Sequence, residues 1–89
     1  MRSRDLAFRP QGFDDYLYWQ AQDRKTLQRI NRLLADIMRS PCDGIGNPEP
    51  LRHEFQGFWS RRIDEEHRLV YAVEEHRIVI IACRFHYKN

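Results

Sequence analysis

Hydrophobic residues in the first half of the chain recur at the spacing of α-helices. Within residues 24–39 they fall three and four positions apart, as on the inward face of an amphipathic helix. These residues are Leu27, Ile30, Leu33, Leu34, Ile37 and Met38. Asp23 is a suitable N-cap, because its carboxylate can accept hydrogen bonds from the first turn. Ser40 and Pro41 are expected to end the helix, since a residue before proline disfavours helical geometry.

A shorter helix is predicted at residues 13–22, after a brief apolar segment at residues 6–8 that suits a short strand. Asp14 and Asp15 would lie in the first turn of this helix, where negative charge is favoured by the helix dipole. The inward face of the helix is expected to carry Phe13, Tyr16 and Leu17.

The second half of the chain alternates between apolar and polar residues, which is typical of β-strands. Four strands are predicted at residues 51–55, 58–63, 68–73 and 78–85. Short turns separate them, so neighbouring strands should run antiparallel, and the last strand is apolar enough to be central. The expected architecture is a single α+β domain covering residues 1–89, with two helices packed on one face of an antiparallel sheet.

The segment between the helical and the strand half is unusually stiff. Residues 41–50 contain three prolines and two glycines. Glu49 lies between Pro48 and Pro50, so its backbone is held extended. The sequence therefore predicts a carboxylate on a rigid loop beside the sheet, with Arg52 shortly after it.

Composition narrows the range of partners. The net charge is only +2, but thirteen of the fifteen basic residues are arginine. Guanidinium groups bind phosphate in two-point geometry and stack on bases, which favours a nucleic-acid partner. A genome rich in G and C would produce the same bias, so both interpretations stay open. No apolar run approaches the length of a membrane span and no N-terminal leader is recognisable, so a cytoplasmic protein without a membrane partner is expected.

Polar residues that could carry catalysis gather on the strand half. Arg84 and His86 are two positions apart and should share a face with Ile78, Ile80 and Ala82. Arg68 begins the third strand, and the second strand contains Arg61 and Arg62. Such a set could cleave RNA without a metal, because the ribose 2′-OH is the nucleophile. The protein then supplies a base, an acid and positive charge for the phosphorane. Glutamate or histidine can be the base, and histidine or tyrosine the acid. A basic sheet edge that only binds RNA or a protein is the alternative.

No metal site or cofactor is expected. The cysteines, Cys42 and Cys83, and the four histidines lack the spacing of zinc ligands. Cys83 lies in an apolar run and is expected to be a small buried residue.

Longer stretches of sequence carry a resemblance. The segment PEPLRHEFQGFWSRRIDEEHRLVYAV, followed by ACRFHY, closely resembles the YoeB family of bacterial toxins. The segments DDYLYWQAQDRKTLQRINRL and SPCDGIGNPEPL resemble it too, so the similarity covers residues 13–87. The resemblance implies a microbial-ribonuclease-like, RelE-like fold and cleavage of messenger RNA in the A site of the 70S ribosome.

The same resemblance implies catalytic residues. Position in the matched motifs assigns Glu49 as general base, Arg68 as the group that stabilises the phosphorane and His86 as acid. Tyr87 would position the RNA or share the role of the acid. The roles of Glu49 and His86 could be reversed. Arg52 and Arg62 match RNA-contacting positions of the family.

Partners follow from the family as well. The resemblance implies neutralisation by a YefM-type antitoxin, with operator DNA bound only through that antitoxin, and leaves a homodimer open. An acidic antitoxin segment is expected to order against Arg61, Arg62 and Arg68. The arginines expected to bind RNA phosphates are Arg52, Arg61, Arg62 and Arg84. The alternative function is a catalytically weak protein that binds ribosome or antitoxin and acts in operon autoregulation. A ribosome-independent ribonuclease is a third hypothesis.

Overall fold

The computed structural model describes residues 4–52 and 55–85, which form two helices and one five-stranded sheet. The elements, in chain order, are β1 (Asp5–Phe8), α1 (Pro10–Gln22), α2 (Arg24–Arg39), β2 (Glu49–Pro50), β3 (Phe58–Arg62), β4 (Arg68–Val73) and β5 (Arg77–Ala82). The α+β class is confirmed. None of the helices in this described part is long and apolar enough to cross a membrane.

The sheet is mixed rather than wholly antiparallel. Its strand order is β1-β5-β4-β3-β2, and β1 pairs with β5 in parallel through Leu6 and Ile78. The other pairs are antiparallel, as their short connections predict. The pairing of β1 joins the two ends of the chain, so no turn length could indicate its direction. The apolar β5 is an interior strand, although β4 holds the middle position.

Helix α2 forms as its sequence pattern predicts. The Asp23 carboxylate accepts hydrogen bonds from the backbone N–H groups of Lys25 and Thr26, and these bonds lower its pKa. Ile30, Leu33 and Ile37 are fully buried in the core. They pack in one cluster with residues from the facing side of the sheet, which include Leu69, Tyr71, Ile78 and Ile80. Burial of this apolar stripe holds the helix on the sheet.

Helix α1 differs from its prediction at its start and on its inward face. It begins at Pro10, a favourable first residue because proline has no N–H to leave unpaired. Phe13 and Leu17, expected inside, are 49% and 45% exposed. The buried positions are instead Gly12, Asp15 and Trp19. These assignments were wrong because the helix face is chosen by close approach to β5, which hydrophobicity does not reveal.

Three contacts explain that choice of face. A Cβ on Gly12 would lie 2.5 Å from the carbonyl oxygen of Ile80, so only glycine permits the approach. The buried Asp15 carboxylate accepts a hydrogen bond from the backbone N–H of Cys83 at 2.9 Å. The Trp19 indole donates to the carbonyl of Cys83 at 2.7 Å. Helix α1 therefore binds both backbone groups of Cys83, immediately after β5 ends.

A β-bulge reverses the side-chain alternation near the end of β5. Val70 pairs with Ala82 while Tyr71 pairs with Ile80, so Ile81 is an extra residue. Ala82 consequently faces the side of the sheet opposite to Ile80. The prediction that Ile78, Ile80, Ala82 and Arg84 share one face was wrong, because one inserted residue moves every later side chain across the sheet. The strand also ends at Ala82 rather than at residue 85.

Cys83 is fully buried, as its apolar context predicts. Burial raises the pKa of its thiol to about 12, so the reactive thiolate form is suppressed. Cys42 is a free, exposed cysteine.

Candidate active site

The stiff loop places Glu49 at one edge of the sheet. The strand predicted at residues 51–55 is not found at the described residues of that range, 51, 52 and 55. The paired residues are instead Glu49 and Pro50, which lie opposite Ser60 and Trp59 of β3. Proline is tolerated there because β2 is an edge strand and no neighbour needs its missing N–H. Glu49 therefore lies on the sheet itself rather than before it.

Arg68 reaches Glu49 across the sheet. The Nη1 atom of Arg68 lies 3.0 Å from Oε1 of Glu49 and 3.4 Å from Oγ of Ser60. Strand pairing produces this meeting, because Glu49 lies opposite Ser60, Ser60 lies opposite Val70, and Arg68 is two positions before Val70. The arginine side chain is 22% exposed and the carboxylate 49%. An acid and a guanidinium thus meet, partly exposed, on the face of the sheet opposite the helices.

Arg62 adds a second positive charge beside this pair. It is exposed and lies directly opposite Arg68 in the β3–β4 ladder. Like charges at directly opposed positions repel, so an anion bound between the two guanidinium groups would relieve a local cost. Arg52 is also exposed and follows β2 in the chain. The two arginines that match RNA-contacting family positions are thus open to solvent.

Arg61 was predicted to bind phosphate, and the structure contradicts that prediction. Its side chain is completely buried, because alternation along β3 points it to the side opposite Arg62. Its guanidinium donates five hydrogen bonds, with Asp36, Tyr71 and three backbone carbonyls as acceptors. Every donor is used inside the protein, so neither RNA nor an antitoxin can reach this arginine.

The role of Arg61 is to hold the loop after α2. The three carbonyls that it binds belong to Ser40, Asp43 and Ile45, and its ion pair with Asp36 has a nitrogen–oxygen distance of 2.6 Å. The hydrogen bond from Arg61 lowers the pKa of Asp36. Asp36 therefore faces inward on α2.

Two further contacts complete this buried cluster. The Tyr71 hydroxyl accepts from Arg61 and donates to the carbonyl of Pro41 at 2.7 Å, and burial raises the pKa of this phenol. Gly44 has a φ of +126°, and a Cβ there would lie 2.0 Å from an Asp36 oxygen. The cluster fixes the start of the loop whose other end carries Glu49.

Arg84 makes different contacts from those of Glu49 and Arg68. Its guanidinium lies 3.5 Å from the centre of the Tyr18 ring and 4.6 Å from that of Phe85. Stacking of this kind leaves the N–H edges of a guanidinium able to bind an anion. Among the described residues, however, Arg84 contacts α1 and not the Glu49–Arg68 pair.

His86 and Tyr87 lie outside the described residues. The chain segment that leads to them is anchored at Phe85, the last residue that the structure describes. Its carbonyl accepts from the backbone N–H of Arg68 at 2.8 Å, and its N–H donates to Nδ1 of His67 at 2.7 Å. Sequence reasoning missed Ser60. Ser60 could have been found by alternation, since it precedes Arg62 by two positions.

The arrangement can bind an anion and accept a proton at neighbouring atoms. A carboxylate held by arginine at an open surface is suited to general-base chemistry, and paired guanidinium groups are suited to a phosphate. Within residues 4–52 and 55–85, no three histidine, cysteine, aspartate or glutamate side chains are grouped so that they could hold a metal ion.

The chain is similar to known proteins over nearly its whole length. A family model described as "YoeB-like toxin of bacterial type II toxin-antitoxin system" matches residues 8–87. The chain is 54% identical over 82 residues to Toxin YoeB of Escherichia coli strain K12, covering 92% of this chain and 98% of that protein.

Solved structures are similar across nearly the whole chain. A YoeB/ParE toxin from Agrobacterium tumefaciens superposes with a TM-score of 0.91 at 44% identity, covering 93% of this chain and 99% of the other. A YoeB dimer from Staphylococcus aureus gives 0.88 at 45% identity, with 96% and 99% covered. A heterotetrameric YoeB-YefM toxin-antitoxin complex from the same organism gives 0.86 at 46% identity, with 94% and 98% covered.

Proposed function

The chain belongs to the YoeB family and is the toxin of a type II toxin–antitoxin system, and from this premise we propose that it is a ribosome-dependent endoribonuclease. In this proposal it cleaves messenger RNA in the ribosomal A site and so inhibits translation. The observation that carries the proposal is the contact between the partly exposed side chains of Arg68 and Glu49 at 3.0 Å, beside Arg62.

The proposed reaction is an internal transesterification. Glu49 accepts the proton of the ribose 2′-OH, whose oxygen attacks the adjacent phosphorus. Arg68 binds the non-bridging oxygens of the phosphorane, where negative charge develops. His86 donates a proton to the departing 5′-oxygen, and Tyr87 positions the RNA or shares the acid role. The products are a 2′,3′-cyclic phosphate and a 5′-hydroxyl. The reversed assignment, with His86 as base and Glu49 as acid, uses the same groups.

The contact between Arg68 and Glu49 suits this sequence of events. A guanidinium has five donors, so Arg68 can bind phosphate oxygens while it keeps its bond to the carboxylate. The bond orients Glu49, whose backbone is already restricted by Pro48 and Pro50. Base and charge would then meet the same phosphodiester without a large rearrangement.

Binding of the RNA backbone is assigned to Arg52, Arg62 and Arg84. Arg62 is exposed opposite Arg68, and Arg52 is exposed two residues after β2. The stacked guanidinium of Arg84 would extend the contact towards the chain end. Arg61 is not part of this surface.

The proposed partners are the 70S ribosome with messenger RNA and a YefM-type antitoxin. An acidic antitoxin segment would order over Arg62 and Arg68 and cover the site. Operator DNA would be bound only through the antitoxin. Self-association into a dimer is proposed because a solved relative is a YoeB dimer. The second candidate function, binding without cleavage for operon autoregulation, is less favoured because the Glu49–Arg68 pair is intact.

The test of the proposal compares cleavage of a messenger RNA on programmed ribosomes with cleavage of the same messenger RNA without ribosomes. We expect cuts only on the ribosome, with 5′-hydroxyl ends. A message with one 2′-deoxy nucleotide on the 5′ side of the mapped cut should not be cleaved there, while a 2′-deoxy nucleotide one position away should have little effect. Undiminished cutting at the deoxy site, or 5′-phosphate ends, would indicate attack by water and contradict the mechanism.

A further inference from the structure

Phe85 is held at both of its backbone polar groups by two consecutive residues: His67, which precedes β4, and Arg68, the first residue of β4. Its N–H donates to Nδ1 of His67 at 2.7 Å, and its carbonyl accepts from the N–H of Arg68 at 2.8 Å. The backbone of Phe85 has a φ of 64°, a left-handed conformation that aromatic residues rarely adopt. Such a conformation persists only where surrounding contacts impose it.

The ring of His67 is itself firmly placed. It packs edge-on against Trp19, with 4.9 Å between ring centres, and its side chain is 12% exposed. Its backbone N–H donates to the Asp64 carboxylate at 2.7 Å. Trp19 also donates to the carbonyl of Cys83, while His67 accepts from Phe85. The two packed rings therefore bind the residues on either side of Arg84.

The hydrogen bond specifies the tautomer of His67. An Nδ1 atom that accepts an N–H bond carries no proton, so the neutral ring has its proton on Nε2. Nε2 lies 3.6 Å from a carboxylate oxygen of Glu66, on the outer side of the ring. The ring therefore acts towards Phe85 as an acceptor of fixed direction.

We propose that His67 is a positioning residue that acts through Phe85. By accepting the Phe85 N–H, it holds the left-handed turn from which the chain continues into His86. The inference rests on the proposed function, in which His86 is the acid. The carbonyl of Phe85 is bound by the backbone of Arg68, so one strand end ties the phosphate-binding arginine to the segment that carries the histidine.

Two substitutions separate the acceptor from the ring. His67→Phe keeps an aromatic ring against Trp19 and removes the acceptor. His67→Asn loses the ring and keeps an acceptor oxygen at the same number of bonds from the backbone as Nδ1. His76→Phe is the matched control, because His76 lies in an exposed turn and its side chain is 83% exposed.

The first measurement needs no RNA. In the isotope-labelled protein at alkaline pH, NMR should detect a scalar coupling between the Phe85 amide nitrogen and Nδ1 of His67, with the ring proton on Nε2. A proton on Nδ1, or the absence of this coupling, would overturn the inference whatever the enzyme does.

The second measurement is the single-turnover rate of cleavage on programmed ribosomes. A shift of about 1 Å in a reacting group can reduce a rate by about 10²-fold, so His67→Phe should lose that much in rate with unchanged ribosome affinity. His67→Asn and His76→Phe should retain most of the rate. Circular dichroism melts of all variants report folding.

The outcomes separate the two proposals. If the unaltered chain and His67→Phe cleave at equal rates, the positioning role of His67 is refuted and the endoribonuclease stands. If folded His67→Asn is as slow as His67→Phe, the ring rather than the acceptor matters, and the inference is refuted as well. If the unaltered chain cleaves nothing on the ribosome, the endoribonuclease proposal fails. The hydrogen bond between His67 and Phe85 then has no catalytic role.

Discussion

Arg61 and Arg62 are neighbours in β3, yet they belong to two regions of opposite character. Arg61 is completely buried on the helix side of the sheet. Its N–H groups donate hydrogen bonds there to Asp36, Tyr71 and loop carbonyls. Arg62 is exposed on the other side, opposite Arg68. The same side chain therefore supports the fold at one position and is available to a ligand at the next.

The difference shows that the two faces of this small sheet compensate charge in different ways. On the helix side, each charge is compensated by a partner inside the protein. Removal of one partner would leave the remaining buried groups unpaired. On the side opposite the helices, two guanidinium groups face each other with one carboxylate, an arrangement that is stabilised by an added anion. Substitutions on the first side should change stability, and substitutions on the second should change activity or binding.

The largest expected effect on the fold is that of Arg61→Ala. Breaking a buried ion pair by removing one partner costs about 3–5 kcal/mol, which is most of the stability of a small domain. Urea denaturation monitored by circular dichroism measures the change. Arg62→Ala is the matched control and should alter the free energy of unfolding by less than about 0.5 kcal/mol. Equal stability of the two variants would refute the division between the two faces.

Arg68→Ala should have the largest effect on activity without unfolding the protein. Removing one charge contact to the transition state costs on the order of 10²–10³-fold in rate. Expression of the unaltered chain without antitoxin should arrest bacterial growth, and the substitution should relieve the arrest. Glu49→Ala and His86→Ala should do so as well. A folded Arg68→Ala protein with full toxicity would remove this arginine from the mechanism.

Arg62→Ala should have a smaller effect, confined to binding. An exposed charge contact contributes roughly 1 kcal/mol, so affinity for programmed ribosomes should fall about fivefold. The dependence of affinity on salt should also weaken, because one phosphate contact is lost. Fluorescence anisotropy with an acidic antitoxin segment tests the same surface. Unchanged salt dependence in both assays would show that this arginine contacts neither partner.

The smallest effect is a gradual one, on acidification. The hydrogen bond from Arg61 lowers the pKa of Asp36 in the folded chain, so the carboxylate stabilises the fold above its unfolded pKa of about 3.9. That contribution is lost as the pH falls below this value towards the folded pKa. Denaturation at a series of pH values should show the decline. The less stable Asp36→Asn variant should lack the part of the decline that protonation of Asp36 causes. An identical pH dependence of the two proteins would contradict this role of Asp36.

Much of the fold follows from local patterns. The stripe of α2, its Asp23 cap and β4 are each specified by residues close together in the chain, so periodicity and capping preferences predict them. The proximity of Glu49 and Arg68 was anticipated only coarsely. The sequence places a carboxylate beside the sheet, but the pairing of β2 and β4 with β3 produces the contact.

The sequence alone therefore determined the element types, the family and the residue types of the candidate site. Only the tertiary structure decided which side each residue faces. The bulge at Ile81 reverses the faces after it, and the approach of Gly12 to β5 chooses the inward face of α1. Both depend on contacts between residues far apart in the chain. The opposite fates of Arg61 and Arg62 required that geometry too, since burial of one side of β3 is settled only when α2 and its loop supply the acceptors.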